Sequence, residues 1–198
     1  MSHVFAKWYD FFMNPLEKRK FKQIRKELLS NATGCVLELG SGTGVNFPFY
    51  NNEVEKVTAV EPSKHMIEQS TPKLKQSIVP IEIVQAGAEE LPFAANTFDT
   101  VVATLVFCTI PNPGKALLEL KRVCKPEGKI LLFEHVKMEN HFLGALQEML
   151  TPAWKKICDG CCLNRKTIEL LKLHNITITS VQKYYRDLFV YIESVNKK

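Results

Sequence analysis

From residue 35 onward, short apolar runs alternate with stretches in which apolar residues recur every three or four positions. The runs predict strands at 35–39, 55–60, 81–86, 99–104 and 129–134, and the periodic stretches predict helices near 44–50, 63–71 and 114–124. Strands that are apolar on both sides and alternate with helices indicate a parallel sheet covered on both faces. Right-handed crossovers then give a doubly wound α/β order, with the ligand crevice at the carboxyl ends of the strands. Residues 141–174 read as helical, broken at Pro152 and restarted after Asn164. Two runs rich in β-branched and aromatic residues, 176–184 and 188–194, lie only a few residues apart and are expected to pair as an antiparallel hairpin.

The amino-terminal segment has a different pattern. Phe5, Trp8, Tyr9, Phe11 and Phe12 crowd together, and Pro15 fits the first turn of a helix running to about Leu29. On that helix Phe21, Ile24 and Leu28 keep an apolar spacing, with lysines and arginines expected opposite them. Two readings remain open for this basic face: a solvated surface on a packed helix, or a surface that settles on anionic lipid head groups.

Charge narrows the function classes. Residues 1–30 hold seven basic and three acidic residues, leaving the other 168 near neutral in a chain whose net charge is +5. A broad basic face that could follow a nucleic-acid backbone is therefore not expected. The composition, 45% hydrophobic over 198 residues, suits a single domain with a full core. No run approaches the roughly 20 apolar residues of a membrane span, and Lys7 and Asp10 interrupt the start where a signal peptide would be apolar. The six cysteines (35, 108, 124, 158, 161 and 162) are not spaced as a disulfide framework, which points to reduced thiols and a cytoplasmic setting. Cys158-Asp159-Gly160-Cys161-Cys162 contains half of a zinc site, but no second ligand pair stands at a matching spacing; buried thiols and no metal are expected.

The chemistry concentrates at the end of the first strand, where Val36 to Gly44 reads VLELGSGTG. Glycines at 40, 42 and 44 let the backbone take positive φ and approach a ligand closely. Glu61 closes the next strand, about 20 residues further on, as a ribose-binding carboxylate would. A dinucleotide loop would place its third small residue at Val45, and a carboxylate at Glu38 would repel a pyrophosphate. A phosphate-gripping loop would need Gly-Lys-Ser/Thr, which is absent. A purely structural glycine turn is the remaining alternative.

E-x-G-x-G-x-G after a first strand resembles motif I of the class I S-adenosylmethionine (SAM) dependent methyltransferases, of the type 11 and UbiE-like kind. The resemblance covers roughly residues 34–136 and the closing hairpin. It implies a Rossmann-like, seven-stranded, mainly parallel sheet with helices on both faces and SAM as cofactor. It also implies that Gly40, Gly42 and Gly44 admit the methionine part, that Ser41 and Thr43 offer groups to its carboxylate, and that Glu38 favours its cationic end. Glu61 would accept the ribose hydroxyls, with Pro62 and Met66 beside the adenine. Ala88 and Glu89, in the loop after the third strand, would hold the base, and the backbone around Thr104 and Leu105 would meet the ammonium. Phe107 and Cys108 would face the substrate, and Asp99 is expected to be structural. Candidate catalytic groups are Glu134 and His135 after the fifth strand, with Tyr9 as a lid over the cofactor.

Phe133-Glu134-His135-Val136, Pro152-Ala153-Trp154, and Asp159-Gly160-Cys161 followed by Leu163 and Arg165 resemble the alkyl thiol methyltransferases. The same framework is similar to bacterial phospholipid N-methyltransferases and to ubiquinone/menaquinone C-methyltransferases. The expected organisation is one domain: a cap at 1–30, a SAM-binding core at 34–136, a helical substrate-side insert at 137–174 and a closing hairpin at 175–198. The expected activity is methyl transfer to a small lipophilic acceptor, with thiol favoured. A phospholipid or quinone enzyme at the membrane surface is the alternative within the enzymes. A catalytically silent SAM-binding partner of another protein is the alternative outside them. The thiol enzymes carry an amino-terminal membrane anchor, whereas residues 1–30 hold no such span, so a cytoplasmic protein with peripheral contact to anionic membrane is expected. The acceptor atom and the oligomeric state stay open.

Overall fold

The computed structural model describes residues 20–158 and 160–198. Its strands are β1 Gly34–Leu39, β2 Val54–Val60, β3 Ile81–Val84, β4 Phe98–Thr104, β5 Cys124–His135, β6 Thr177–Tyr184 and β7 Phe189–Val195. They form one sheet in the order β3-β2-β1-β4-β5-β7-β6. β1 to β5 run parallel, and β7 inserts antiparallel between β5 and β6. This is the doubly wound α/β sheet with a closing antiparallel hairpin.

The period-two alternation divides each central strand between two cores. Leu37, Leu39, Val101, Ala103, Ile130 and Leu132 face one side, where Ala116, Leu117 and Leu120 of α3 (Pro113–Val123) and Leu171 of α5 (Thr167–Leu173) cover them. Val36, Val57, Ala59, Val102, Leu131 and Phe133 face the other, beneath Phe21, which precedes the helix α1 (Lys22–Ser30), and Ile24 and Leu28 within it. Ser63 caps α2 (Lys64–Leu74) through the Met66 N–H, and Asn112 caps α3 through the Lys115 N–H.

Four elements differ from the sequence reading. The helix expected near 44–50 is only a 3₁₀ turn at Phe47–Phe49. Gly44 takes a φ of +72° and Pro48 lacks an N–H, so neither supports α-helical turns here. Helix α4 runs unbroken from His141 to Ile157 with Pro152 inside it. The carbonyl that loses its donor there belongs to the half-exposed Glu148, and the Thr151 hydroxyl donates to the preceding Gln147 carbonyl at 2.6 Å. β5 begins five residues early, at Cys124, with Glu127 at φ +59° in place of the glycine usual in such turns.

The fourth difference matters most. Arg25 was expected on the solvated face of α1, yet it is 4% exposed. Its spacing from Phe21 and Leu28, four and three residues, places it on the buried stripe. There it donates to Asn46 Oδ1 at 2.9 Å and Thr104 Oγ1 at 2.7 Å.

Candidate active site

The carboxyl ends of β1, β2, β4 and β5 bring most of the expected residues together. Glu38 lies at the end of β1, 1% exposed. Its oxygens accept from Asn46 Nδ2 at 2.9 Å and the Tyr50 hydroxyl at 2.7 Å. Asn46 also donates to Thr104 Oγ1 at 3.0 Å, the hydroxyl that Arg25 reaches from α1. One connected network thus ties α1, β1, the turn after the glycine loop and the end of β4 around a carboxylate. Burial pushes the Glu38 carboxyl up to about 7, with the hydrogen bonds from Tyr50 and Asn46 and the Arg25 charge pulling against it. Arg25, Asn46 and Tyr50 did not stand out in sequence, since no motif marks them and only their neighbours in space give them a role.

The three glycines serve different ends. At Gly40, φ +63°, an added Cβ would sit 2.2 Å from Val106 Cγ2, so the loop crosses tightly over the β4 turn. At Gly44 a Cβ would strike the Phe47 ring at 2.6 Å. At Gly42, φ +53°, nothing lies within 4 Å of an added Cβ. The loop therefore packs on protein at its two ends and faces open space at its middle. Beside it, Ser41 Oγ is buried with no hydrogen-bond partner among the described residues. A donor left unsatisfied beside a cradle that a side chain would fill fits a polar ligand bound there.

Glu61 ends β2, buried, with one oxygen accepting the Gly42 N–H at 3.0 Å and the other the Ser63 N–H at 2.9 Å. It thereby joins the glycine loop to the second strand, and each carboxylate oxygen can accept more than one donor. Met66 is buried on α2, and the Pro62 carbonyl accepts from Gln85 at 3.2 Å. Thr43 is anchored to α2: its hydroxyl and carbonyl accept from Lys73 Nζ at 2.9 and 3.0 Å, and the hydroxyl can still donate. Ala88 is buried in the loop after β3, and the Glu89 carboxylate accepts the Asn112 N–H at 3.3 Å. Asp99 accepts from the Cys35 N–H at 3.0 Å and from Lys125 Nζ at 2.6 Å, far from the loop in sequence and at the opposite end of the sheet.

Beyond β4, Leu105 takes a φ of +55°, a strained value for a branched residue, held by its N–H on the Phe133 carbonyl at 2.7 Å. The buried Glu134 explains the turn that follows. Its Oε1 accepts the N–H groups of Val106 at 3.0 Å and Phe107 at 3.1 Å, while its Oε2 has no partner among the described residues. Burial raises this carboxyl to about 8, against the pull of those two N–H groups. His135 packs edge-on against Phe189 at 5.6 Å; its buried Nδ1 has no partner among the described residues, and burial lowers the ring to about 4. Tyr9 lies outside the described residues.

Gln147 was not anticipated. From the buried side of α4 it donates to the Val136 and Leu163 carbonyls, both at 3.1 Å, and accepts the Met138 N–H at 2.7 Å. It pins the 137–165 segment to the exit of β5.

This sheet order, with a glycine loop and a paired carboxylate at the ends of β1 and β2, defines a Rossmann-like protein of the SAM-dependent methyltransferase class. The methyltransferase domain family matches residues 37–132. Human thiol S-methyltransferase TMT1B is 33% identical over 182 residues, covering 86% of this chain and 73% of the relative. A phosphatidylethanolamine N-methyltransferase of Cereibacter sphaeroides is 30% identical over 154 residues, covering 76% and 75%. The chain belongs to the SAM-dependent methyltransferase family. Among solved structures, a SAM-dependent methyltransferase of Aquifex aeolicus superposes with a TM-score of 0.68 at 18% identity, covering 98% of each chain. The [4+2]-cyclase SpnF also superposes, with a TM-score of 0.72 at 14% identity over 90% of this chain and 80% of its own. The fold alone therefore does not fix the reaction; the sequence relatives carry that weight.

If Glu61 meets the ribose, Glu61→Ala is expected to weaken SAM binding by roughly 1.5–3 kcal/mol, the cost of losing a charged hydrogen-bonding partner. Isothermal titration giving wild-type affinity would refute that role. Gly42→Val, strained at φ +53° although its side chain has open space, is expected to fold with reduced stability and to lose SAM binding; normal binding by a folded variant would refute the cradle.

The carboxyl of Glu134 titrates near 8 in the folded protein and near its ordinary 4.5 when unfolded. Its contribution to stability is thus complete below about 4.5 and lost as pH rises toward about 8. His135, lowered from 6.5 to about 4, works in the opposite sense and only below 6.5. Wild type is therefore expected to lose stability relative to Glu134→Gln between about pH 5 and pH 8. Urea unfolding across that range tests it, and a difference independent of pH would contradict it.

Proposed function

We propose that the protein transfers the methyl group of SAM to a small lipophilic acceptor, with a thiol as the favoured class. One observation carries this reading: the 182-residue similarity to a thiol S-methyltransferase extends well beyond the matched domain at 37–132. It therefore takes in sequence outside the cofactor core, where acceptor specificity belongs.

SAM supplies a methyl group already activated on a sulfonium. The chain's own residues have the tasks of binding, alignment and proton removal. Gly40, Ser41, Gly42 and Glu61 would hold the cofactor, with the Thr104–Leu105 backbone at its methionine end. A thiol must lose its proton to become nucleophilic. Glu134, with one oxygen unengaged by the described residues and a carboxyl raised to about 8, is the stronger proton acceptor of the two candidates after β5. His135, lowered to about 4, is a weak base that stays neutral and lends an apolar ring edge.

A second reading has its own observation. Helix α4 exposes Phe142, Leu146, Met149, Leu150, Trp154 and Ile157, a stripe at helical spacing, with Lys155 and Lys156 beside its end. An amphipathic helix of this kind settles into a lipid interface, which supports a lipid-borne acceptor delivered at a membrane surface. Among the described residues no helix is long and apolar enough to cross a membrane.

Methyl-labelled SAM offered with a panel of hydrophobic thiols, amines and quinones tests the proposal. Label is expected on the thiols, and measurable SAM binding without turnover on any acceptor would favour a silent binding module. Co-sedimentation with anionic vesicles tests the second reading. Phe142→Asp with Met149→Asp is expected to abolish the association, and absence of wild-type binding even at low salt would remove it.

A further inference from the structure

Two thiols distant in sequence meet beside the β4 turn. Cys108 lies in that turn, and Cys161 in the loop that follows α4. The two stretches are fastened one residue away from the pair, where the Cys162 N–H donates to the Cys108 carbonyl at 2.8 Å. The Cys161 N–H bonds the Cys158 carbonyl at 2.9 Å, and Gly160, at φ +88°, would carry a Cβ only 3.6 Å from the Thr109 carbonyl. The loop is thus bent against the β4 turn, with Cys161 next to the Cys162–Cys108 backbone bond and the Cys108 Sγ 3.8 Å from the Leu105 carbonyl. Arg165 stands next to them with Nη2 on the Ile110 carbonyl at 3.0 Å and a buried Nε that has no partner among the described residues. Glu134 and Trp154 complete the surroundings, Glu134 opposing negative charge on Cys161 and Trp154 favouring it. No group of three or more metal-ligating side chains forms among the described residues, and methyl transfer has no use for a second thiol here.

We propose that Cys108 and Cys161 form an oxidisable dithiol that closes to a disulfide across the acceptor side of the site under hydrogen peroxide. In the first step the Cys161 thiolate attacks a peroxide oxygen, and the O–O bond breaks. This gives a sulfenic acid and hydroxide, which takes up the proton that the thiol released and leaves as water. In the second step the Cys108 sulfur attacks the sulfenic sulfur, the S–S bond forms and a second water departs. The two thiols are oxidised by two electrons and the peroxide is reduced to water. The order of attack follows the surroundings. Proximity to Cys108, helped by Trp154 and Arg165, pulls the Cys161 thiol below its ordinary value against its burial. The same proximity, together with burial, pushes Cys108 up, which suits a resolving thiol. Because Cys108 directly follows the Val106–Phe107 turn held by Glu134, closure would fix that turn.

The experiment is peptide mapping of the full chain after a small molar excess of hydrogen peroxide, with alkylation and no reductant. The expected result is a linked peptide joining Cys108 to Cys161, loss of two of the six alkylatable thiols and reversal by dithiothreitol. Cys161→Ser is expected to abolish the link, and Cys158→Ser and Cys162→Ser to preserve it. Six surviving thiols, a link between any other pair, or sulfinic acid at Cys161 without a link would each overturn the proposal. The mapping on wild type needs no variant to fold and no acceptor, so its outcome is independent of the methyl-transfer reading. A consequence that does rest on that reading is a changed KM for the acceptor with SAM affinity retained.

Discussion

A carboxylate buried at the end of the first strand organises this protein. Glu38 has no solvent to stabilise its charge, so the fold must supply donors, and it draws them from three places: Tyr50, Asn46 and, through Asn46 and Thr104, Arg25 on the first helix. Removing one partner from such a network leaves another polar group buried and unsatisfied, which is why the members hold one another in place. The geometric result is that the amino-terminal helix, the glycine loop and the end of β4 cannot shift independently. The loop is presented to its ligand already bent, with Gly40 and Gly44 packed on protein and Gly42 facing open space. Binding then need not bear the entropic cost of ordering the loop.

A second carboxylate plays the corresponding part on the acceptor side. Glu134, at the end of the fifth strand, holds two N–H groups of the β4 turn, so the strained Leu105 and the residues after it sit where β5 dictates. The two devices are alike in form: a buried acid at a strand terminus gathering N–H or O–H donors from a neighbouring loop. They differ in what is left over, since Glu134 keeps one oxygen without a partner among the described residues. Under the proposed methyl transfer, that asymmetry would separate a positioning group from a proton acceptor.

Much of this was legible in the sequence because its causes are local. Apolar runs of strand length, the glycine spacing after Glu38 and the carboxylate at Glu61 each follow from one short stretch of chain, and the sheet order follows from their alternation. What was not legible depends on contacts distant in sequence. Arg25 reads as one more cation on a basic helix until Thr104, 79 residues away, accepts from it. Pro152 reads as a helix break, yet α4 continues through it, held on its buried side by Gln147. Thr43 reads as a ligand group alone, while the fold also has its hydroxyl accept from Lys73, 30 residues away. The acceptor-side residues behave in the same way, with Gln147 and Cys161 acquiring meaning only when the 137–165 segment folds back on β5 and the β4 turn.

The most direct measurement is a crystal structure of the protein with S-adenosylhomocysteine bound. The account requires the ribose hydroxyls on Glu61, the methionine end against Ser41, Gly42 and the Thr104–Leu105 backbone, and the sulfur directed toward Phe107, Cys108 and Glu134. It also requires the Glu38, Asn46, Tyr50 and Arg25 hydrogen bonds to be unchanged from those described above. A nucleoside bound away from Glu61, or a glycine loop rebuilt on binding with the Glu38 network broken, would contradict it.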